Sequence, residues 1–435
     1  MFNVGDYISR SGGNTIEDRV PRKYKNLRVE VILKNDGKLD ITDNVSNIEI
    51  LESISAKWLQ GNLTLIDNSS AVSGSPFLGQ EKIRISFQRL GLRVKQTFIV
   101  ERLRNIEKIN DTTQGVVIEF SSSSAMTNQT KRFSKKYEGL TSDMIAAIWK
   151  DHISEPIKVR SKGSTSHRIV FPWTLPSQAI DVILENTYAI DGSQFFLYER
   201  LFSKGCQLES LIDMMNKSPN GTLAQHTNVN KETNLGQGSR VMHESIGSLY
   251  NYYIQQTTDV MSLLANGSLR TDVERIDLSN KTYTELDFKY KEQAPTMKAD
   301  SFDKFKIDDE ELDSDLIRPT IKTEFLNTLA FEDSMTDVNT HIDDFALSKF
   351  SAYGSRLDEM IHIQVTCDSD PDTYRCGETI DFKVPLSAPA LSSNEDMTDK
   401  LISGKYLITS VKHKLSRQDY TMTMMLSADG YDRTK

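Results

Sequence analysis

This 435-residue chain has few cysteines, no long apolar run and no N-terminal stretch with the pattern of a signal peptide. It contains three cysteines, Cys206, Cys367 and Cys376, too few and too scattered for a disulfide framework or a zinc cage. We predict three thiols, with pairing of Cys367 and Cys376 across a turn as the alternative. No apolar run approaches the roughly 20 residues that cross a membrane, and residues 1–15 lack the apolar core of a signal peptide. We therefore expect no membrane insertion and no export by a standard secretory route.

Residue patterns that bind metal ions are also missing. The acidic run from Asp308 to Asp315 lacks the central glycine and the regular oxygen spacing of a calcium loop, so it is interpreted as a solvated loop. His152 and His167 have neither a cysteine nor a second histidine at ligand spacing. The sequence predicts no metal ion, and without a phosphate-binding glycine loop it predicts no cofactor.

No catalytic constellation is evident either. The serines from Ser121 to Ser124 lack the flanking glycines of a nucleophile elbow and are interpreted as a strand exit. His413 alternates in phase with Leu407 and Val411, which favours a packed histidine over a general base. We therefore predict no catalytic residue and expect that the protein is not an enzyme.

Charge and composition limit the class of protein further. The chain has 52 basic and 61 acidic residues, a net charge of -9, which argues against general binding of nucleic acid because such binding needs a basic surface. Hydrophobic residues make up 38%, an ordinary balance for a folded protein of this length. The length allows two to four domains, each with its own core.

What the sequence does contain is one strand pattern that occurs twice. Residues 404–426 alternate apolar and polar side chains in two runs joined by a polar turn, and residues 96–121 repeat that arrangement. Upstream of each hairpin lie two further strands that begin on glycine. The predicted repeat positions are Gly61 and Gly79 in the first copy, and Gly267, Gly377 and Gly404 in the second. We interpret this as a duplicated β-domain.

Between the copies the pattern changes to helices mixed with strands. Apolar residues at helical spacing predict one helix from Thr141 and another from Pro176 through Thr187. The predicted fold class is α+β, mainly β, with two antiparallel β-barrel domains, a small α/β domain between them and an insertion in the second barrel. The predicted boundaries are an N-terminal arm at 1–25, a first barrel at 26–124, an α/β domain at 125–238, a second barrel at 239–290 with 357–430, and an acidic loop plus helix inserted at 291–356.

Three segments resemble one family of proteins. They are FPWTLPSQAIDVILENTYAIDGSQFFLYERLFSKGCQLESLIDM from Phe171, LLANGSLRTDVERIDLSNKTYTE from Leu263 and SGKYLITSVKHKLSRQDYTMTMML from Ser403. In this order they resemble the baseplate hub proteins of contractile-tailed bacteriophages, the T-even-like tail hub family, which is related to the hub part of type VI secretion spike proteins. The arm before Tyr24 and the acidic run from Glu292 to Pro319 depart from that pattern, so contacts there are not carried over.

The resemblance implies a structural virion protein with no chemistry of its own. Hubs of this kind are similar to two tube-type barrels in one chain, so a homotrimer forms a pseudo-sixfold ring that adapts a hexameric tail tube to a trimeric central spike. The implied partners are the chain itself, the tail tube protein, the central spike protein and other baseplate proteins, with DNA only as passing cargo. The implied location is the baseplate of the virion, after synthesis in the host cytoplasm. We expect a channel lined by acidic or neutral side chains, past which DNA moves without binding.

Two other classes remain open. The C-terminal segment also resembles the spike-hub protein of a type VI secretion or other contractile injection system. We expect that class to continue into a needle or an effector domain, whereas Lys435 directly follows the last predicted strand. The second alternative is a tail-associated cell-wall hydrolase, which needs paired carboxylates or a Cys-His pair in a cleft.

Overall fold

Alternating apolar and polar side chains produce strands through most of the chain, as the computed structural model shows. The structure describes residues 24–33, 37–68, 81–164, 166–185, 187–224, 248–256, 259–266, 270–278, 281–289, 306–307, 310–311, 320–326, 357, 361–368, 370–384, 399, 402–417 and 419–428. The predicted arm at 1–25, apart from its last two residues, and the helix that the sequence predicts over 346–357, apart from Leu357, lie outside this set.

The first set of strands precedes the helices. Its members are β1 (Lys25–Ile32), β2 (Lys38–Asp40), β3 (Val45–Ser53), β4 (Gln60–Asp67), β5 (Lys82–Arg89), β6 (Leu92–Lys108) and β7 (Gln114–Ser122). A short 3-10 helix, Thr42–Asn44, leads into β3. Side chains of Lys82–Arg89 alternate between buried and partly exposed, so one face is apolar and the other polar, whereas residues 101–108 of β6 bury no side chain.

Helices and short strands follow over residues 123–216, with a core of their own, and we call this part the helical region. The elements are α1 (Ser123–Thr130), β8 (Phe133–Leu140), α2 (Thr141–Ile148) with a π-helical turn (Trp149–Ile153), β9 (Ile157–Val159), β10 (Ser166–Thr174), α3 (Pro176–Glu185), β11 (Phe195–Glu199), β12 (Cys206–Ser210) and α4 (Leu211–Asn216). Strands β8 and β10 form a two-stranded ribbon, and β9, β11 and β12 form a three-stranded sheet. Trp149 and Ile180 lie in their shared apolar cluster, which is separate from the core under the strand sets.

The remaining elements complete the chain. They are β13 (Thr222–Ala224), β14 (Ser248–Gln256), α5 (Val260–Ala265), β15 (Arg270–Asp277), β16 (Thr282–Lys289), β17 (Lys306–Ile307), β18 (Glu310–Glu311), β19 (Thr320–Leu326), β20 (Ile361–Asp368), β21 (Thr379–Lys383), β22 (Gly404–Ser416) and β23 (Tyr420–Ala428). The three cysteines are buried free thiols, as predicted. None of the described helices is long and apolar enough to span a membrane.

Among the described residues, thirteen strands share one sheet. Its order is β2-β1-β5-β6-β7-β4-β3-β22-β21-β13-β14-β20-β23, and we call the last six strands, from β22 to β23, the second set. Because β22 also pairs with β23, the pairings of the second set return to their starting strand. Among the described residues the first set has no such returning pairing. The prediction of a mainly β fold, with helices between two sets of strands, is confirmed.

One pairing pattern occurs twice in this sheet. Strands β3 to β7 pair in the order β5-β6-β7-β4-β3, and β14 with β20 to β23 pair in the order β21-β22-β23-β20-β14. Corresponding strands also follow each other in the same order along the chain. Residues 257–360 therefore interrupt the second occurrence between β14 and β20.

This pairing corrects the predicted membership of the second strand set. We predicted that the strand after Gly267 belongs to it, within 239–290, but β15 pairs with β16 and β19 in a separate three-stranded sheet. Strand β20 instead takes the place that β4 has in the first set, because it pairs with β14 and β23. A glycine and a polar-apolar alternation do not specify which neighbour a strand pairs with, so the sequence pattern matched the wrong strand.

Candidate functional site

Strand β22 joins the two strand sets. One edge of it pairs with β23 over Leu407 to Leu415. The other edge pairs first with β21, from Gly404 to Leu407, and then with β3, from Ser410 to Ser416. At 13 residues β22 is long enough to serve two neighbours along one edge. We call its pairing with β3 the seam.

A buried relay of polar side chains lies beneath the seam. Nε2 of His413 is 2.9 Å from Oε1 of Glu52, and Nδ1 of His413 is 2.7 Å from the hydroxyl of Tyr420. The backbone N–H of Leu201, from the helical region, donates to the same Oε1 of Glu52 over 2.8 Å. All three side chains of the relay are at most 2% exposed, so it holds elements together and is closed to a substrate.

The charges around the relay keep Glu52 ionised. Burial alone would raise the pKa of Glu52, but hydrogen bonds from His413 and Leu201 and the charge of Arg200 outweigh it and lower the pKa. The pKa of Tyr420 is raised well above its ordinary value, chiefly by burial. The guanidinium of Arg89, from β5, lies 4.9 Å from the centre of the Tyr420 ring. The relay thus bonds elements from both strand sets and from the helical region.

A second buried network attaches the helical region to the turn before β21. Arg200 donates to Oε1 of Glu378 over 2.8 Å and to the hydroxyl of Tyr198 over 3.0 Å. Tyr198 in turn donates to Glu209 over 3.0 Å, and the ammonium of Lys217 is 2.7 Å from Glu209. Because each charge has a partner of opposite sign, the cost of burying the group is offset.

The opposite, polar face of the sheet crosses the seam without interruption. Glu49 on β3 accepts from Lys412 on β22 over 2.8 Å and lies 3.6 Å from Lys414. Asn47 also donates to Glu49, over 3.3 Å. Partial burial opposes ionisation, but these donors outweigh it and lower the pKa of Glu49. One carboxylate on β3 therefore interacts with two cations on β22, which belongs to the other strand set.

The same arrangement recurs two strands away. Glu119 on β7 pairs with Arg102 and Arg104 on β6, the latter over 3.1 Å. An open groove of about 440 Å³ runs between the two charge clusters. Its polar lining includes Glu49, Gln60, Asn62, Glu101, Arg102, Glu119 and Lys412. We call this surface the polar sheet face; it is mixed in charge.

The predicted repeat glycines occupy different settings. Gly61 lies in β4, where a Cβ would stand 2.4 Å from the carbonyl oxygen of Glu49. Gly377 precedes β21 with φ +75°, and a Cβ there would stand 2.0 Å from the hydroxyl of Tyr198. Gly404 begins β22 with φ +142°. Gly79 and Gly267 lie outside the described residues.

Sequence reasoning identified His413 as packed, as its phase indicated, and the structure confirms this. It did not recognise Glu52, the partner of His413, or the neighbouring Arg89. A signal for Glu52 existed, since it falls in phase with the buried Ile48 and Ile50 and so places an acid on the apolar face of β3. Among the described residues no group of three or more His, Cys, Asp or Glu side chains is placed to hold a metal ion.

Comparison with solved structures identifies proteins of the same fold. No protein-family model matches the chain, and no curated protein matches its sequence. The tail protein from Neisseria meningitidis MC58 is similar in structure with a TM-score of 0.53 and 11% identity, over 94% of this chain and 98% of that one. The 43 kDa tail protein of prophage MuSo2 from Shewanella oneidensis has a TM-score of 0.52 and 10% identity, over 92% and 98%. The chain therefore has the fold of these two tail proteins.

A type VI secretion component is similar at a lower level. The E. coli c3393 protein, described as structurally similar to the T4 tail proteins gp27 and gp5, has a TM-score of 0.46 and 8% identity, over 95% of this chain and 79% of that one. A TM-score below 0.5 does not establish a shared fold.

Proposed function

We propose that this chain is a structural protein of a contractile phage tail, the central hub of the baseplate. The single observation that carries the proposal is the pairing pattern that occurs twice, side by side, in one sheet. Three such chains around an axis present six similar strand sets, which matches a sixfold tube on one side and a threefold spike on the other. The shared fold with two tail proteins supports the same assignment.

The proposed partners are those that the resemblance to baseplate hubs implies. They are two further copies of the chain, the tail tube protein, the central spike protein and other baseplate proteins, all in the virion. The role is that of an adaptor and a channel, in which no bond is made or broken. The buried Glu52, His413 and Tyr420 agree with this role, because their side chains are closed to a substrate.

We assign the polar sheet face to the channel side of this hub. Strands β3, β4, β6, β7 and β22 present it as one surface, without a break at the seam. Four of its cations form ion pairs with Glu49 and Glu119, and Glu101 is a third carboxylate of this surface. With four cations against three carboxylates, the surface is more basic than the acidic or neutral lining that we expected from the net charge. Pairing each cation to a carboxylate limits the counterions that passing DNA could displace.

The experiment that tests the hub assignment measures assembly. Native mass spectrometry of the purified chain, alone and with the tail's spike protein, is expected to give three copies per particle, and end-on electron-microscope averages are expected to show a central hole and six similar lobes. A stable dimer, or a particle without a hole, would contradict the proposal. Degradation of peptidoglycan by the purified chain would contradict the adaptor role and favour a hydrolase.

A further inference from the structure

The β8–β10 ribbon presents an apolar anchor to solvent. Trp173 is 68% exposed and Val170 is 54% exposed, both on β10. The opposite side of the ribbon is covered, because Phe133, Tyr137 and Phe171 lie in the core of the helical region. A large aromatic side chain in this position is typical of binding hot spots.

The backbone under Trp173 holds the indole outward. Trp173 has φ +43°, a conformation that non-glycine residues rarely adopt, at a bulge in the pairing with β8. Its N–H donates to the hydroxyl of Ser134 over 2.9 Å, and the hydroxyl of Thr174 donates to the carbonyl oxygen of Pro172 over 2.8 Å. Strain maintained by specific hydrogen bonds is common at functional surfaces.

The charges beside Trp173 are mostly positive. Lys136 and Arg168 point to the same side of the ribbon and share one carboxylate, Glu138, at 3.4 Å and 3.1 Å. Exposed Arg132 lies directly before β8. Two cations share one carboxylate on this side of the ribbon, in a chain whose net charge is -9. This surface, which we call the ribbon face, fits an acidic partner.

The sheet formed by β15, β16 and β19 carries the opposite charge. Asp272 lies directly across from Asp287, and Glu274 directly across from Glu285. Like charges directly opposite each other destabilise a strand pair. The cation among them is Arg270, whose Nε is 3.5 Å from Asp287 and 3.8 Å from Asp272.

Exposed apolar side chains lie on the same side of this second sheet. Ile321 on β19 is the register partner of Asp272 and is 63% exposed, and Tyr283 on β16 is 55% exposed. We call this surface the acidic face. It offers an apolar contact for Trp173 and, among the side chains that the structure describes, four carboxylates against one cation.

We propose that the ribbon face of one copy binds the acidic face of the next copy. Both faces are exposed on one chain, and their charges and apolar residues are complementary, so a second copy satisfies both at once. The contact is heterologous, because two different surfaces meet, and such contacts close into a ring when the rotation permits. The inference rests on the proposed trimer and names the surfaces that hold it.

Charge reversal tests this contact in the full-length chain. One variant carries Lys136→Glu and Arg168→Glu, a second carries Glu285→Lys and Asp287→Lys, and a third carries all four changes. Analytical ultracentrifugation is expected to show at least tenfold weaker self-association for each of the first two, and recovery in the third, because the third restores opposite charges across the contact. Circular dichroism checks that each variant is folded.

Cross-linking provides the second measurement. A chain with Val170→Cys and Thr323→Cys is expected to give a covalent trimer with a short bis-maleimide, because each contact then joins one cysteine of each kind. Each single cysteine variant is expected to remain a monomer on a denaturing gel. The natural cysteines are buried and supply no background. If the wild-type chain is a trimer but reversal leaves its mass unchanged, or the doubly substituted chain does not cross-link, the inference is overturned and the hub proposal stands. If the wild-type chain never self-associates, with or without spike protein, both are overturned.

Discussion

Glu52 shows how one residue can tie distant parts of the chain together. It is an ionised side chain in the core, and it is tolerated because His413 and the N–H of Leu201 bond it. A buried charge that loses its partner is strongly destabilising, whereas an exposed ion pair contributes little. The seam therefore depends on the buried pair more than on the exposed pair of Glu49 and Lys412.

Replacing His413 tests this dependence. His413→Phe leaves the carboxylate of Glu52 buried without its main partner, so we expect a loss of about 3–5 kcal/mol in the free energy of unfolding, measured from urea titrations. Lys412→Ala is the matched control, since Lys412 is the preceding residue of β22 and its exposed ion pair is worth about 0.2–1 kcal/mol. Equal losses in the two variants would show that the buried pair has no special role.

A second prediction concerns Gly377. Gly377→Ala places a methyl group in a left-handed backbone conformation and against the hydroxyl of Tyr198, which Arg200 and Glu209 also contact. Gly91→Ala is the matched control, because Gly91 has φ +80° with open space around its Cβ position and reports the backbone cost alone, about 1–2 kcal/mol. We expect the Gly377 variant to melt at a clearly lower temperature than the Gly91 variant; similar melting temperatures would mean that Tyr198 moves aside at no cost.

At the scale of elements, the alternation of side chains predicted the hairpins correctly, but it did not predict which strands distant in sequence pair with each other. The hairpins β6–β7 and β22–β23 follow from local patterns, because a short turn brings the two strands together. The sequence analysis assigned β15 to the position that β20 occupies, and it did not predict the pairing of β22 with β3. Both errors have one physical cause. Side-chain alternation reports burial of one face, whereas pairing depends on the edges, and Glu52 lies 361 residues before His413.

The position of the interruption in the second strand set leads to a third prediction. Gln256 at the end of β14 is the register partner of His362 near the start of β20, so a short turn can join them directly. We expect a chain with 257–360 replaced by a four-residue glycine-asparagine turn to keep the large sheet. The shortened chain should keep its β-type circular dichroism and its cooperative unfolding. It should no longer form a trimer, because the deletion removes the acidic face. Loss of cooperative unfolding would show that the large sheet needs this segment.

At the scale of the whole molecule, charge is partly compensated on the surface that we assign to the channel. Glu49 and Glu119 each form ion pairs with two cations there, so each cluster keeps one net positive charge. Removing these carboxylates frees the cations to contact phosphates. The surface would then bind DNA more tightly than a channel allows.

The fourth prediction tests this compensation with DNA. The variant with Glu49→Gln and Glu119→Gln is expected to bind double-stranded DNA at low salt and to release it as salt is raised, while the wild-type chain binds far more weakly in the same titration. Glu138→Gln, which frees two cations on the ribbon face instead, is the control for a general effect of charge. Equal DNA binding by the wild-type chain and the channel variant would contradict the assignment of this face.

The seam also has a consequence during synthesis on the ribosome. Strand β3 is made early, but the strand that completes its edge is among the last of the described chain to emerge. Until then β3 presents an unpaired edge, which is a template for pairing with other chains. Closing a contact over 361 residues is also entropically slow. A translation product that stops before β22 is therefore expected to aggregate or be degraded, so an incomplete copy would rarely survive long enough to enter an assembling tail.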